Sequence, residues 1–208
     1  MQVKAFSNET VNAVRDSVSR RLSKKRLAHV LRVEEEIARM SALLFPERED
    51  EARIAALLHD VTKELSREEQ ISLCREQGIL LTEQDLLVAE TLHEKSAPAM
   101  ILRDFSECAT EDILCAVRYH ATGRAGMSAL EMAVFLADYI EPGRPYDGCR
   151  EARARFWDRI ETGDASSALE ETVLYVLGRT LIHLIEKERY VDPETVEAYN
   201  FFVRRKNQ

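Results

Sequence analysis

Apolar residues recur along most of this chain at spacings of three and four positions, which is the period of an amphipathic helix. One such pattern covers residues 11–22, and a longer one covers residues 22–40. Residues 54–58 are almost wholly apolar, which predicts a helix that is buried on every side. Four further stripes follow, marked by Leu86, Ala89 and Leu92, by Ile113, Ala116 and Val117, by Leu130, Val134 and Ala137, and by residues 169–185.

Glycine and proline are scarce and lie mainly between these segments, and no stretch of alternating apolar and polar residues predicts a strand. The sequence therefore predicts an all-α protein. With 208 residues, the chain is long enough for one buried core and short for two full domains. We expect a single domain over residues 1–208, with a functional core at 20–145 and appended helices at 150–208.

Composition narrows the class of protein further. No apolar run approaches the roughly 20 residues that cross a bilayer, and residues 1–15 lack the apolar core of a signal peptide. We therefore expect a cytoplasmic protein without a membrane partner. The formal net charge of -8 argues against binding to a nucleic acid polymer, which needs a basic surface. The four cysteines form no CxxC pair and are interpreted as reduced, mostly core thiols.

Four of the five histidines and two aspartates are placed where they would face the interior. His59 and Asp60 directly follow the apolar segment 54–58, and a buried carboxylate is costly unless it is paired or coordinates a metal. For any one of the six, a hydrogen-bonded core residue is the better interpretation. When five helices each direct such a group inward, however, the combined pattern indicates that the groups converge on a metal site. The other four positions continue apolar stripes at helical spacing, and they are His29, His93, His120 and Asp138.

This set of side chains also predicts the kind of metal site. Imidazoles and carboxylates without thiolates suit iron, manganese, cobalt or zinc ions. Four histidines and two aspartates exceed what one ion takes from a protein while leaving a place for water, so we expect two ions with a bridging carboxylate. Two ions about 3.5–4 Å apart can hold a bridging hydroxide and clamp a phosphoryl group for in-line attack. The sequence thus favours a metal-dependent phosphohydrolase.

Lys63 is a candidate catalytic and substrate-binding residue. It lies four residues after His59 and three after Asp60, on the same side of the helix. Its ammonium group would contact a non-bridging phosphate oxygen where charge develops. Pairing with a surface acid such as Glu64 or Glu68 is an equally supported alternative.

Arginines supply two further candidates for binding phosphate. Arg144 follows a Pro-Gly turn that fixes its direction, so a bidentate phosphate contact is favoured there. Solvent is favoured for Arg124, with phosphate binding as the alternative. Residues 20–26 include five basic residues, which indicate either a solvated helix start or attraction of a polyphosphate towards a cleft.

The order of these motifs resembles the HD-domain superfamily of metal-dependent phosphohydrolases. More narrowly, the chain resembles the YqeK family of symmetrical bis(5'-nucleosyl)-tetraphosphatases, over about residues 20 to 203. The sequence departs from the family pattern at Ala121, Ala125 and Tyr199, and none of these removes a proposed ligand. The matching segments are RLAHV at 26–30, LLHDVTK at 57–63, LH at 92–93, VRYHATGR at 117–124 with Met127 after it, LADYIEPGR at 136–144 and DPETVEAYN at 192–200.

The resemblance implies an HD-domain helical bundle with a dimetal site in the cleft of its core. The first ion would be held by His29, His59, Asp60 and Asp138, and the second by His93 and His120, with Asp60 bridging. It implies iron as the metal, and hydrolysis of diadenosine tetraphosphate at its central anhydride to two ADP. Thr122, within the matching segment 117–124, is a further candidate substrate contact.

Two alternatives stay open at this point. The first is another HD phosphohydrolase, acting on nucleoside mono-, di- or triphosphates or on cyclic nucleotides. The second is a non-catalytic HD module that binds nucleotides. Apolar residues in the late helices also make a homodimer possible.

Overall fold

The computed structural model describes residues 5–88 and 90–207, and within these ranges it contains α-helices, two short 3-10 turns and no strand. The all-α prediction is therefore confirmed. The helices are α1 (Asn8–Ser19), α2 (Lys24–Leu44), α3 (Glu49–Leu58), α4 (Arg67–Glu76), α5 (Glu83–Leu87), α6 (Leu92–Asp104), α7 (Glu111–Arg118), α8 (Ala129–Ile140), α9 (Asp147–Thr162), α10 (Ala165–Glu186) and α11 (Pro193–Lys206).

Local capping fixes where several of these helices begin. At α4 and α8, the hydroxyls of Ser66 and Ser128 accept hydrogen bonds from backbone amides in the first turn. In return, Glu69 and Glu131 accept hydrogen bonds from the two cap amides, which completes a capping box at each helix. Such caps are each worth about 1 kcal/mol, so they set the helix starts independently of the core.

Helix α3 occupies the centre of the molecule. Residues 54–58 have no exposed surface, and α3 packs against α1, α2, α7 and α8. Each fully buried aliphatic side chain contributes about 1.5–3 kcal/mol, so this helix is a major part of the core. Because α3 ends at Leu58, His59 and Asp60 leave it in the interior of the bundle.

Two predicted helical stripes are interrupted in the structure. The stripe from Leu86 to Leu92 is wrong as one helix, because α5 ends at Leu87 and α6 begins at Leu92. Between them the Thr91 amide donates to the Val88 carbonyl in a tight turn. Ala89, which also marked this stripe, lies outside the described residues. The spacing of apolar residues does not reveal such a turn, because the side chains on both sides of it can still face the core.

The start of the chain shows the same effect. Leu22 was expected in both of the first two helices, yet it lies in the bend between α1 and α2 while remaining nearly buried. The hydroxyl of Ser23 caps α2 by accepting from the Arg26 amide. The cap therefore sets the helix start, and the apolar pattern does not.

The last three helices pack onto the same core. Helix α10 contacts α8, α9 and α11, and Val176, Phe156 and Ala198 belong to the same buried cluster as Ile54. The division near residue 150 stays a prediction, as does the homodimer. Within the described ranges, no helix is both long and apolar enough to span a membrane.

Candidate metal centre

The structure brings all six predicted ligands together at the carboxyl end of α3. His59 and Asp60 lie in the turn that follows α3, and both are buried. His120 lies in the turn after α7, because that helix ends at Arg118, whereas the apolar stripe had placed it on the helix. The remaining three side chains come from other helices: His29 from α2, His93 from the first turn of α6 and Asp138 from α8.

Asp60 faces two groups of histidines, one with each carboxylate oxygen. Its Oδ2 lies 3.7 Å from His29 Nε2 and 3.5 Å from His59 Nε2. Its Oδ1 lies 3.4 Å from His93 Nε2 and 3.7 Å from His120 Nε2. A carboxylate placed in this way is suited to bridge two cations, one on each side.

Asp138 completes the first of these groups. Its Oδ1 lies 3.0 Å from His29 Nε2 and 3.8 Å from His59 Nε2. Ligand atoms about 2.0–2.2 Å from one ion lie about 3–4 Å from each other, so this spacing fits a shared ion. The candidate atoms of His29, His59 and Asp138 all lie within 4.8 Å of one another, as do those of His59, Asp60 and His120.

Backbone carbonyls orient two of the imidazoles. His59 Nδ1 lies 2.6 Å from the carbonyl oxygen of Ala56, and His120 Nδ1 lies 2.7 Å from that of Val117. In each pair the ring Nδ1–H donates, which leaves the lone pair on Nε2 and directs it towards Asp60. Both rings therefore present the atom that would bind a metal.

Glu141 is a buried carboxylate that the sequence prediction missed. Its Oε1 lies 3.2 Å from His29 Nδ1, and its Oε2 accepts from Arg32 Nε at 2.6 Å and from the Gly143 amide. Burial alone would raise the pKa of Glu141, but the Arg32 guanidinium and the Gly143 amide hold that pKa below its ordinary value. The signal was present in the Glu-Pro-Gly-Arg turn, which had been interpreted for Arg144 alone.

The close packing of this turn explains its glycine. A Cβ atom at Gly143 would clash with the guanidinium group of Arg32. A side chain there would therefore force that guanidinium to move from its position against Glu141.

Unpartnered nitrogen atoms test whether a metal fits. Among the described residues, Nε2 of His29 and Nε2 of His59 are buried without a hydrogen-bond partner. Since His29 donates from Nδ1 to Glu141, its 3.0 Å approach to Asp138 Oδ1 sets one lone pair against another. A buried polar atom left in this state costs about 1–3 kcal/mol, which a bound cation would remove. The orphaned nitrogens and the imidazole-carboxylate set therefore fit divalent transition metals.

The protonation states also suit a cation. Burial alone would raise the pKa of Asp60, but the imidazoles of His59 and His120 hold it well below its usual range. Burial alone would also raise the pKa of Asp138, but the Arg144 guanidinium and the neighbouring imidazoles together hold it well below its usual range. Metal binding requires deprotonated carboxylates, which both residues provide.

Two arginines contact the aspartates from outside the ligand cluster. Arg26 Nη1 lies 2.6 Å from Asp60 Oδ2. Arg144 donates from Nη2 to Asp138 Oδ1 and from Nε to the Asp138 carbonyl at 3.0 Å. The basic segment 20–26 is thus divided between two roles, since Arg21 pairs with Asp104 whereas Arg26 reaches the centre.

Lys63 lies at the centre, and in the part of the chain that the structure describes it forms no ion pair with Glu64 or Glu68. Its Nζ lies 3.0 Å from both ring nitrogens of His93 and donates to the Glu90 carbonyl at 3.2 Å. Glu64 accepts instead from the amide and hydroxyl of Ser23, at 2.7 and 2.6 Å. Burial lowers the pKa of Lys63 from its ordinary value.

Two other substrate candidates have different surroundings. The Thr122 hydroxyl and amide donate to Glu94 Oε2 at 2.9 and 3.2 Å. Arg124 donates to both carboxylate oxygens of Glu131, from Nε at 2.6 Å and from Nη2 at 2.8 Å. The structure therefore does not bring Arg124 to the ligand cluster.

Two clefts open onto the centre. The first has a volume of about 390 Å³ and is lined by Lys63, His93 and Thr122 among others. The second has a volume of about 340 Å³ and includes His29 and Arg144. Sites for small molecules commonly have volumes of about 300–1,000 Å³, so each cleft has room for part of a ligand.

The fold and this centre define a class of protein: a helical bundle whose buried histidines and aspartates form a candidate two-ion site open to small molecules. The chain belongs to the HD domain family, whose model matches residues 26–143. This confirms the family resemblance and places the predicted ligands His29 to Asp138 within the matched segment.

Curated relatives extend the match over most of the chain. The symmetrical bis(5'-nucleosyl)-tetraphosphatase of Halalkalibacterium halodurans is 33% identical over 181 residues, which is 86% of this chain and 89% of the relative. A protein of the same name from Staphylococcus aureus is 31% identical over 186 residues, which is 88% of this chain and 89% of the relative. These relatives confirm the predicted enzyme class, a phosphoanhydride hydrolase.

A solved structure supports the fold. It is described as a "predicted HD superfamily hydrolase involved in NAD metabolism" from Clostridium acetobutylicum and is 30% identical to this chain. The two structures align with a TM-score of 0.81 over 97% of this chain and 100% of the other. The predicted HD-domain fold is thereby confirmed.

Proposed function

We propose that this protein hydrolyses diadenosine tetraphosphate at its central anhydride and releases two ADP. The observation that carries the proposal is the position of Asp60, with one carboxylate oxygen on each of two histidine groups. The names of the curated relatives support the choice of a dinucleoside tetraphosphate among possible phosphate substrates.

The two ligand groups would each hold one ion. His29 and His59 face Oδ2 of Asp60, and Asp138 lies beside these two imidazoles. His93 and His120 face Oδ1, so Asp60 would be shared. When bound, two such ions supply Lewis acidity and an activated water for attack on phosphorus. Iron is the metal that the family resemblance implies, and manganese, cobalt and zinc suit the same ligands.

The surrounding cations would bind and orient the phosphates. Lys63 is half-buried beside His93, so its ammonium group lies where it can contact a non-bridging oxygen on that side. Arg144 and Arg26 approach the opposite side of the centre. Donors fixed before the reaction stabilise charge that develops on the phosphate without reorganising.

Product analysis tests this function. The protein, purified without chelator and supplied with iron or manganese, is incubated with diadenosine tetraphosphate, and the nucleotides are separated by chromatography. We expect ADP as the product, because cleavage of the central anhydride divides the symmetrical substrate into two identical halves. AMP together with ATP would show asymmetric cleavage, and no cleavage would reject the substrate.

The Glu141–His29 contact yields a second prediction. We expect Glu141→Gln to weaken binding of one of two ions about 10–100-fold, because His29 Nδ1 loses a charged partner that orients its ring. Metal titration of chelator-treated protein by calorimetry measures the effect. Glu151→Gln, which alters a carboxylate bonded to Tyr175, is the matched control. Equal metal affinities for the two variants would show that Glu141 does not support metal binding through His29.

A further inference from the structure

The side chains that line the cleft on the His29 side include more cations than acids. Its lining includes four cationic and two acidic side chains, and both acids are already engaged. Glu141 accepts from Arg32, and Glu64 accepts from Ser23. The cationic residues are Lys25, Arg26, Arg32 and Arg144.

This local excess stands out because the whole chain has a formal net charge of -8. Lys25 has no carboxylate partner among residues 5–88 and 90–207 and is exposed to solvent. Within the described residues, the carboxylates that pair with Arg26 and Arg144 are those of the two aspartates that face the proposed ions. A cleft of this kind attracts a polyanion, and phosphate groups fit it.

Tyr146 provides an aromatic ring at the rim of the same cleft. Its side chain is 67% exposed, although it is a large ring. Pro145 precedes it, and Tyr146 occupies the N-cap position of α9 with φ of -74° and ψ of 143°. Since Arg144 is anchored on Asp138, the backbone places Tyr146 at the rim of the cleft that the cationic side chains line. An exposed ring at this position offers a surface on which a base can stack.

The cleft on the His93 side has a different character. Its walls include Leu87, Val88, Leu184 and Tyr190, and it reaches the centre at Lys63. Apolar walls with a few polar groups suit a nucleoside. The centre thus has an apolar cleft beside one ligand group and a cationic cleft with an aromatic rim beside the other.

We propose that the cationic cleft is a subsite for the second nucleoside diphosphate half of a dinucleoside tetraphosphate, with Lys25 and Arg26 on its phosphates and Tyr146 under its base. This rests on the function proposed above. The first half would occupy the apolar cleft, so that the central anhydride lies at Asp60. A ligand with one nucleoside would leave Tyr146 unused.

Equilibrium binding to the metal-loaded protein tests the role of Tyr146. The probe is diadenosine tetraphosphate with a methylene bridge at its centre, and the comparison ligand is adenosine 5'-tetraphosphate, both measured by calorimetry. We expect Tyr146→Ala to raise the Kd of the two-nucleoside probe about tenfold and to leave that of the one-nucleoside ligand unchanged. Tyr146→Phe keeps the ring and should bind as the wild type does. An unchanged Kd for the probe in Tyr146→Ala would overturn the subsite.

Two adjacent lysines separate local contact from long-range attraction. Lys25 lines the cleft, whereas Lys24 on the same turn of α2 does not, and both substitutions change the net charge equally. We expect Lys25→Ala to raise the Kd of the probe about fivefold and Lys24→Ala to raise it much less. Equal effects would contradict the subsite. If the Tyr146 or the lysine test fails while the wild type still cleaves the natural substrate to ADP, the subsite is wrong and the proposed function stands. If the wild type does not cleave that substrate, the proposed function itself is rejected.

Discussion

Asp60→Ala is expected to abolish hydrolysis of diadenosine tetraphosphate. The substitution removes the carboxylate that touches both histidine groups, so neither proposed ion keeps its full ligand set. Because two-ion catalysis supplies several kcal/mol and each 1.36 kcal/mol is tenfold, kcat/KM should fall about 10³-fold or more. The helical fold should persist, since residues 54–58 remain buried in the core. Steady-state kinetics and circular dichroism together measure the two effects.

Asp104→Ala is the matched control for that substitution. Asp104 also pairs with an arginine of the basic segment, Arg21, yet it lies away from the ligand cluster. The Asp104→Ala variant should keep wild-type activity. Substantial turnover by Asp60→Ala with an intact fold would show that Asp60 does not hold the reaction centre.

Lys63→Met is expected to lower kcat about 10²–10³-fold, the loss typical of removing one preorganised charge that stabilises a transition state. Its Nζ lies 3.0 Å from His93, so the lost charge is beside a proposed metal ligand, where the phosphate is proposed to bind. The side chain is not a proposed ligand, and metal content should stay at the wild-type value. Kinetics with elemental analysis of the same preparation make both measurements.

Lys95→Met controls for loss of a lysine on the neighbouring helix α6. Lys95 pairs with Asp85 at 3.6 Å and lines neither cleft at the centre. Its kcat should be unchanged. Near-normal kcat in Lys63→Met would remove the lysine from catalysis, and loss of metal from that variant would assign it to holding the site together.

Helical periodicity correctly placed two of the site residues on buried helix faces. His29 and Asp138 lie within the long helices α2 and α8, where apolar spacing reports the buried face directly. His93 and His120 were also named, but their expected positions on helical stripes were wrong. His93 lies in the first turn of α6, which begins at Leu92, and His120 follows α7 in a turn. Apolar spacing cannot show where a helix stops, because capping and turn contacts decide that.

The residues that sequence reasoning missed act over long separations. Glu141 is 112 positions from His29, and the two meet only because α2 packs against α8. Arg26 is 34 positions from Asp60 and had been one of several basic residues with no reason to single it out. Contacts between residues so far apart in the chain depend on how the helices pack, and a single sequence does not reveal that packing.

The metal content of the purified protein shows whether Asp60 bridges two ions. Elemental analysis of wild-type protein prepared without chelator should give about two transition-metal ions per chain. The same analysis of Asp60→Ala should show that both sites are depleted, because both share this carboxylate. A correctly folded wild-type protein without transition metal, or an Asp60→Ala variant that retains both ions, would contradict a two-ion centre bridged by Asp60.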